Sequence, residues 1–441
     1  MKALIVCIML FLFCHCSMPG PARAEEYSLR DLYRIALERA ETIRIADENI
    51  AYSVQDRRRA ISALLPRLSA FASYQKFDEE RYNTWQFLDF SDEVLVQPDR
   101  AHSWGLRADQ NLSLSLREIT AVRIGSNDIR RSRYDLASIQ ETYLLEVAQA
   151  YYNVLMAKKV LDIAESNLER VTKYREAARA RLNVGEITET VLLRADSELS
   201  SAKSNMVKAR NSLSLADATL ARLVGITPPF TLAEAPRREA PAPSLEELKS
   251  TAFAQRPDLK SLEAQKEMAR LQVSFARGAY WPNLNLSGVF QRADQEPASS
   301  SLNTETTYGS VSVVFPFFEG GLRRAEVQQA KVRERQASLQ YESEKKTVGL
   351  EVERAYLDLM TRRGTIDFLA DQLKFAQDNY RGVSRQFALG LASSIDVIDA
   401  NNLLVSSQRQ LAEAEYSYQL AILEVERATG TFMKEVRGKT E

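Results

Sequence analysis

Apolar side chains recur at helical spacing along two long parts of the chain. Leu161 and Leu168 are seven positions apart, the heptad spacing of a coiled-coil-like seam. Residues 100–226 contain no proline, and none follows Pro316, so both parts lack the strongest helix breaker. A single helix over residues 117–183 would span roughly 100 Å, far more than a globular core requires. Helices of that length are stable only when they pack against one another.

Two shorter segments alternate between apolar and polar residues instead. They cover about residues 66–116 and 282–317, and the alternation gives each predicted strand one apolar and one polar face. The apolar positions of the second segment are Leu284, Leu286, Val311, Val313 and Phe315. Each segment predicts a β-hairpin, with polar loops at about residues 79–100 and 293–305. Four strands are too few to close a barrel around water, so strands from several chains would have to combine.

The pattern of the chain occurs twice. Residues 147–225 align with residues 352–430 at a constant offset of 205 positions, and residues 28–68 align with residues 244–284 at an offset of 216. The matched pairs include Tyr151/Tyr356, Gly185/Gly390, Arg222/Arg427, Gly225/Gly430 and Pro66/Pro282. The second copy is therefore 11 residues shorter in its strand region. An internal duplication of this size predicts two structural repeats.

A glycine interrupts each long helical region at the same place in the two copies. Gly185 and Gly390 suit the left-handed C-cap of one helix, and residues that can cap the next helix follow them. Each copy is thus expected to form a long helical hairpin with a tight tip. Val184, Leu389 and Leu391 would expose apolar side chains at these tips, which indicates a contact surface. The alternative is local packing within the hairpin.

The first 24 residues are expected to be a secretory signal peptide, because a basic residue is followed by an apolar run and then, at residues 22–24, by a small-x-small cleavage pattern. The mature chain would then consist of a first repeat, residues 25–235, and a second repeat, residues 236–441. All three cysteines lie in the first 24 residues, so we expect neither a disulfide nor a thiolate metal site. Lipidation at Cys14 or Cys16 remains an alternative.

Composition argues against an enzyme and against a nucleic-acid partner. His102 is the one histidine beyond the signal segment, and no phosphate-binding glycine loop or zinc-spaced ligand pair occurs. We therefore expect no catalytic residue, cofactor or metal. Without the signal segment the formal net charge changes from −1 to −3. The chain therefore lacks the strongly positive charge that would attract nucleic acid. The mature part also lacks an apolar run of about eighteen residues, so a transmembrane helix is excluded but transmembrane β-strands are not.

The most specific motifs lie in the second copy. The run Phe-Pro-Phe-Phe-Glu-Gly-Gly places Pro316, Gly320 and Gly321 where the strand pattern returns to a helix. Asp396 and Asp399 follow the second tip. With the repeated order of helix, strand pair and helical hairpin, these motifs resemble the TolC-like outer-membrane efflux proteins over essentially the whole mature chain.

The first copy departs from the pattern of this family. Residues 112–116 replace the glycine turn with alternating Leu and Ser. Glu189, Val191 and Arg194 occupy the first tip, where acidic or polar residues are expected. Ala392 stands where some members place an arginine, which puts the gate salt bridges of the family in doubt for this chain.

The resemblance implies a fold that is mainly helical with a small β part. Three chains would form an α-helical tunnel across the periplasm, topped by a shared 12-stranded barrel in outer-membrane lipid of a Gram-negative bacterium. A periplasmic adaptor, or membrane fusion protein, would dock at the tips and connect the tunnel to an inner-membrane pump of the RND or ABC type. The expected function is the exit duct of a tripartite efflux or type I secretion system. The alternative is a periplasmic coiled-coil scaffold without transport.

Asp396 and Asp399 are the candidate periplasmic gate. They are three positions apart and share one face of the returning helix. Under the trimer that the resemblance implies, their carboxylates would form a ring that selects cations and repels anions. The alternative is that both are ordinary first-turn aspartates, stabilised by the helix dipole.

Overall fold

A computed structural model describes residues 25–87, 90–234, 237–239, 244–298 and 304–438. The expected signal peptide, with Cys14 and Cys16, lies outside the described residues, as do parts of the two predicted loops. The chain is mainly helical with a smaller β part. Below, "first half" means the described residues up to 234, and "second half" means those from 244.

The helices are α1 (Leu29–Arg39), α2 (Glu41–Ser62), α3 (Arg117–Asn183), α4 (Glu189–Val224), α5 (Leu245–Gln255), α6 (Pro257–Arg277), α7 (Leu322–Ala388), α8 (Ser394–Ala428) and α9 (Phe432–Gly438). The predicted helix over residues 117–183 is confirmed as α3. Both α3 and α7 have 67 residues, and their first and last residues are related by the offset of 205. Each packs against the helix that follows it, so α3–α4 and α7–α8 are the two hairpins.

The strands are β1 (Glu25–Tyr27), β2 (Arg67–Lys76), β3 (Arg81–Phe87), β4 (Phe90–Gln97), β5 (Arg100–Ser113), β6 (Phe230–Leu232), β7 (Asn283–Glu296) and β8 (Glu305–Val314). The four strands expected from the alternation form one antiparallel sheet in the order β2-β5-β7-β8. The two halves join at its centre, where Leu106 of β5 lies opposite Phe290 of β7. The short parallel pair β1–β6 was not predicted.

The prediction of a polar loop over residues 79–100 was wrong. Strands β3 and β4 occupy most of it and pair with each other, apart from the main sheet. Tyr82, Val94 and Val96 are exposed, and none of residues 81–84 and 93–97, whose side chains the structure describes, is buried. At these positions no buried face imposes an apolar alternation that would mark the strands. The second predicted loop also begins late, because β7 extends to Glu296. The β3–β4 hairpin lies where the first half has its extra residues.

The main core lies around the middle of α3. Leu32 of α1, Leu144 and Tyr151 of α3, Leu220 of α4 and Phe432 of α9 are almost completely buried there. Each such side chain stabilises the fold by roughly 1.5–3 kcal/mol relative to an exposed one. Serine capping boxes begin α1 and α5 at equivalent positions. Among the described helices, none has the length and apolar composition needed to cross a membrane.

Candidate functional site

The two hairpin tips have the same backbone shape and expose apolar side chains. Gly185 and Gly390 have φ values of +77° and +78°, the left-handed conformation expected of a glycine C-cap. No atom lies within 4 Å of the position that a Cβ would take at either glycine, so both turns face open space. Val184, Leu389 and Leu391 are 71%, 75% and 76% exposed. These apolar side chains therefore do not pack within their own hairpins.

A side chain that the sequence analysis missed connects the two tips. Arg181, near the end of α3, donates hydrogen bonds from Nη1 to the carbonyl oxygen of Phe387 at 2.6 Å and from Nη2 to that of Ala388. Its guanidinium carbon lies 4.8 Å from the centroid of the Phe387 ring. A basic residue among several in α3 carries no sequence signal for such a contact, because its partners are main-chain atoms 206 and 207 positions away.

The two aspartates of α8 have different surroundings. Asp396 forms a capping box, since its Oδ2 accepts hydrogen bonds from the Ser393 amide at 2.8 Å and from the Ser393 hydroxyl at 2.7 Å. These two bonds lower the pKa of Asp396, so its carboxylate is ionised at neutral pH. Asp399 is exposed one turn further along α8. The helix-cap alternative therefore describes Asp396, whereas Asp399 is available to face a lumen or solvent.

The turn from β8 to α7 is built from the expected residues. Pro316 follows the strand without helical or strand geometry, and Gly320 and Gly321 have φ values of +59° and +87°. Gly321 is the N-cap of α7. At the equivalent position of the first half, Leu116 is the N-cap of α3 and also has a positive φ, +58°. The first half thus keeps the left-handed turn although it has no glycine there.

One face of the four-stranded sheet is apolar and exposed. It carries Leu68, Trp104, Leu106, Val311 and Val313. The opposite face is polar, and hydrogen bonds cross it between neighbouring strands. One joins the hydroxyl groups of Ser73 and Ser103 at 2.8 Å, and the other runs from Ser287 Oγ to Asp109 Oδ1 at 2.9 Å. A soluble protein rarely leaves a contiguous apolar face of this size open to water. This face therefore indicates a lipid or protein contact.

The long helices pack side by side in one layer with two edges. In the half nearer the sheet the packing order is α2-α3-α6-α7, and in the half nearer the tips it is α4-α3-α8-α7. Helix α7 is one edge, and beyond its first turn the large apolar side chains that it exposes are Val332, Leu339, Leu350, Leu357, Phe368 and Phe375. Their separations alternate between seven and eleven positions, about two and three helical turns, so they form one straight stripe. The other edge exposes Ile45 and Tyr52 of α2 and Leu193, Val207 and Leu215 of α4.

A cluster of charged side chains, of which Arg256 and Glu141 are buried, lies where four helical elements meet. Arg256, only 3% exposed, donates to the Asp258 carboxylate and, at 2.5 Å, to Glu351 of α7. Arg427 of α8 lies 3.6 Å from the same Glu351 oxygen. Burial raises the pKa of Glu141 on α3 to about 7, with Arg427 opposing the increase and Asp258 adding to it. Glu141 thus changes its charge near neutral pH.

The sequence matches one protein family and several of its named members. Residues 32–226 and 248–431 match the family model described as outer membrane efflux protein. The outer membrane efflux protein BepC of Brucella suis biovar 1 (strain 1330) is 26% identical over 327 residues, which cover 74% of this chain and 71% of BepC. Outer membrane protein TolC of Escherichia coli (strain K12) is 27% identical over 308 residues, 66% of this chain and 62% of TolC.

Solved structures share the fold. The outer membrane protein VceC from Vibrio cholerae superposes with a TM-score of 0.78 at 16% identity, over 91% of this chain and 96% of that one. At this identity the likeness concerns the fold alone. It includes the long helical hairpins together with the sheet, since so little of either chain remains outside the superposition.

Proposed function

The chain belongs to the outer membrane efflux protein family, which places it in the outer membrane of a Gram-negative bacterium, and we propose that it is the exit duct of a tripartite export system. The observation that carries this proposal is that one chain combines a sheet with an exposed apolar face and two helical hairpins, each with one helix of 67 residues. The sheet is suited to lipid, and α3 or α7 is long enough to extend roughly 100 Å away from it.

We propose a homotrimer as the working form. The α7 stripe and the exposed residues of α2 and α4 lie on opposite edges of the helical layer, so a second copy would cover one edge with the other. Such head-to-tail contacts close into a ring when the rotation fits. Three copies would place twelve strands in one barrel, whose polar faces line water and whose apolar faces meet lipid. The long helices of the two halves have equal lengths and begin and end at equivalent positions. This also supports a duplication, with repeats at residues 25–235 and 236–441.

The tips are the proposed docking surface for a periplasmic adaptor that connects the duct to an inner-membrane pump of the RND or ABC type. Val184, Gly185, Leu389, Gly390 and Leu391 present apolar and small groups in open space, which suits contact with the helical tips of another protein. The pump selects the cargo, which is small molecules in an efflux system and proteins in type I secretion. Asp399, with the capped Asp396 beside it, is the proposed source of a carboxylate ring at the mouth.

Native mass spectrometry in detergent and planar-bilayer recording test the central proposal together. We expect a particle of three chains that forms ion-conducting pores. The alternative of a periplasmic scaffold predicts a protein that is soluble without detergent and does not conduct. A monodisperse soluble monomer would overturn the duct.

The docking proposal has its own test in cells. A photo-crosslinking amino acid at Leu389, on the exposed tip, should capture the adaptor in the native host, and the product can be identified by mass spectrometry. The same amino acid at Leu215, exposed in the last third of α4 and far from the tip, is the control and should capture a second copy of the chain instead. Capture of the adaptor from Leu215 but not from Leu389 would remove the tips from the docking surface.

A further inference from the structure

The equivalent apolar surfaces of the two halves are covered in different ways. In the first half, the chain after α4 continues as β6, pairs with β1, and packs Phe230 and Leu232 on the main core. At the end of that segment the Tyr151 hydroxyl donates to the Ala233 carbonyl oxygen at 2.5 Å. An extended stretch of the same chain therefore closes the surface around Tyr151.

The chain takes another course after α8. The sequence equivalents of residues 230–233 are residues 435–438, which belong to α9. Phe432, Met433 and Val436 of this helix pack on the main core around α3, where Phe432 is 1% exposed. The segment that could have covered the second half thus covers the first half instead.

The surface that α9 does not cover is an apolar pocket in the second half. It encloses about 70 Å³ between α5, α7 and α8. The walls include Leu248, Tyr356, Leu359, Met360, Ile422 and Val425. The first-half equivalents of all but Ile422 belong to the main core. The pocket is therefore a second copy of the wall against which β6 packs.

The pocket also presents a hydrogen-bond donor. Tyr356 is the equivalent of Tyr151, and within the part of the chain that the structure describes no group accepts from its hydroxyl. Apolar walls beside one donor suit an aliphatic side chain together with the main chain that carries it. The volume agrees with this, because it is about half that of an engineered cavity of about 150 Å³ that binds benzene.

The occupant has to come from another protein. In each copy of the chain β6 is paired with β1, and α9 is packed on the main core, so neither segment is available for this pocket. Tyr356 lies 34 residues along α7 from Leu322 (356 − 322), which is roughly 50 Å from the sheet. With the sheet in outer-membrane lipid, as proposed above, the pocket is in the periplasm.

We propose that this pocket is a docking site for an extended apolar segment of a periplasmic partner protein, bound as β6 is bound in the first half. One aliphatic side chain of the segment fills the space beside Leu359 and Ile422. The main-chain carbonyl oxygen of the following residue accepts from the Tyr356 hydroxyl. The site is distinct from the hairpin tips, so it adds a partner to the proposed duct.

A fluorescent synthetic peptide with the sequence of residues 226–234, which includes β6, is the probe. Titrated with the purified full chain in detergent, it should show saturable binding by fluorescence anisotropy. Tyr356→Phe should weaken binding about fivefold, the effect of one lost hydrogen bond. Tyr151→Phe is the matched control and should leave the affinity unchanged, because β6 is part of the chain and outcompetes the free peptide there.

Two further changes test the fit of the side chain. A peptide with Leu232→Asp should not bind, because a carboxylate is excluded from apolar walls. Met360→Trp should fill the pocket and abolish binding of the parent peptide. If Met360→Trp does not fold, Tyr356→Phe still decides the site, since it removes a single oxygen atom. A parent chain that does not bind the peptide, or equal affinities for the parent and Tyr356→Phe, would overturn the docking site.

A photo-crosslinking amino acid at Met360 in the native host identifies the source of the segment. We expect a periplasmic protein, crosslinked through an extended aliphatic segment, and we expect the peptide to compete with it in isolated membranes. Capture of a second copy of this chain in its place would overturn the proposal. Neither peptide binding nor crosslinking depends on conduction, so a parent that forms no pore would refute the duct and leave this test intact.

Discussion

The turn that leads into α3 and the turn that leads into α7 adopt the same left-handed N-cap with different residues. Leu116 has a φ of +58° and Gly321, at the equivalent position, has +87°. A leucine in this region is strained by roughly 1–3 kcal/mol, whereas glycine is not. Hydrogen bonds from the Leu114 amide to the Pro282 oxygen at 3.0 Å and from Ser115 Oγ to the Gly278 oxygen at 2.9 Å hold the first turn. The halves thus share a backbone that each stabilises by its own contacts.

The hairpins differ in the same way. In the first, Arg175 Nε and Asp196 Oδ1 form an ion pair at 2.7 Å between α3 and α4. The equivalent positions of the second hairpin are Tyr380 and Asn401, and both face Arg170 of the first hairpin. The second hairpin therefore has no ion pair at the positions equivalent to Arg175 and Asp196, and its residues there contact the first hairpin instead. The difference in sequence between the halves thus places a polar contact between the two hairpins.

The largest expected difference between the halves concerns the glycines that end α4 and α8. Gly225 and Gly430 have φ values of +76° and +70°. A Cβ at Gly225 would lie 3.8 Å from the Arg39 side chain, but one at Gly430 would lie 2.9 Å from the backbone of Arg256. Gly225→Ala should destabilise by about 1 kcal/mol through strain alone. Gly430→Ala should cost about 2 kcal/mol more because the backbone must move.

Chemical denaturation of the detergent-solubilised protein measures this pair of variants. The midpoint should fall further for Gly430→Ala than for Gly225→Ala. Equal shifts would mean that the contact between α8 and Arg256 is looser than its distances indicate. Gly364→Ala, in the interior of α7 with open space around it, is the control and should be neutral or stabilising.

The two halves also differ in charge and burial at the position of Glu141. It is buried in α3, whereas the equivalent residue of α7, Lys346, is exposed. Because burial raises the pKa of Glu141 from 4.5 to about 7, the folded state holds a proton that the unfolded state releases. The stability that this group contributes is complete below pH 4.5 and is lost as the pH rises to about 7. The loss amounts to about 3 kcal/mol.

Glu141→Gln should remove this dependence and stabilise the protein at pH 8 relative to the parent. Thermal unfolding between pH 5 and pH 8 is the measurement, with Lys346→Gln as the control that leaves the profile unchanged. Parallel pH profiles for the parent and Glu141→Gln would show that Glu141 remains ionised in the folded protein over this range, paired with Arg256 or Arg427.

The sequence predicted the long elements well because their signals are local and repeated. Proline-free helical spacing located α3, and alternation located β2, β5, β7 and β8. Strands β3 and β4 escaped prediction because none of their side chains that the structure describes, at residues 81–84 and 93–97, is buried. Arg181 escaped for a different reason, since its acceptors are main-chain carbonyls that every residue has. The positive φ of Leu116 was not predicted, because leucine rarely adopts the left-handed conformation. Local pattern therefore gives elements, but not the contacts between them.

The two N-caps offer a smaller and more direct comparison. Leu116→Gly should stabilise the protein by about 1 kcal/mol, because it relieves the strain of the left-handed turn and Leu116 is exposed. Gly321→Ala should destabilise it by a similar amount, since the turn is retained and strain is introduced. Denaturation midpoints of the two variants test the opposite signs. Destabilisation by both would mean that the Leu116 side chain packs against a neighbouring chain in the assembly.

The smallest expected effect on stability concerns Asp399 and its equivalent in the first hairpin, Arg194. Both are exposed, so Asp399→Asn and Arg194→Gln should each change the free energy of unfolding by less than about 0.5 kcal/mol. If the proposed trimer places these equivalent faces at the mouth, three carboxylates and three guanidinium groups contribute to one ring with opposite signs. Asp399→Asn should then reduce the preference for cations, and Arg194→Gln should increase it. Reversal potentials in a salt gradient measure both changes in cation preference. Unchanged reversal potentials in both variants would place these residues on the outer surface.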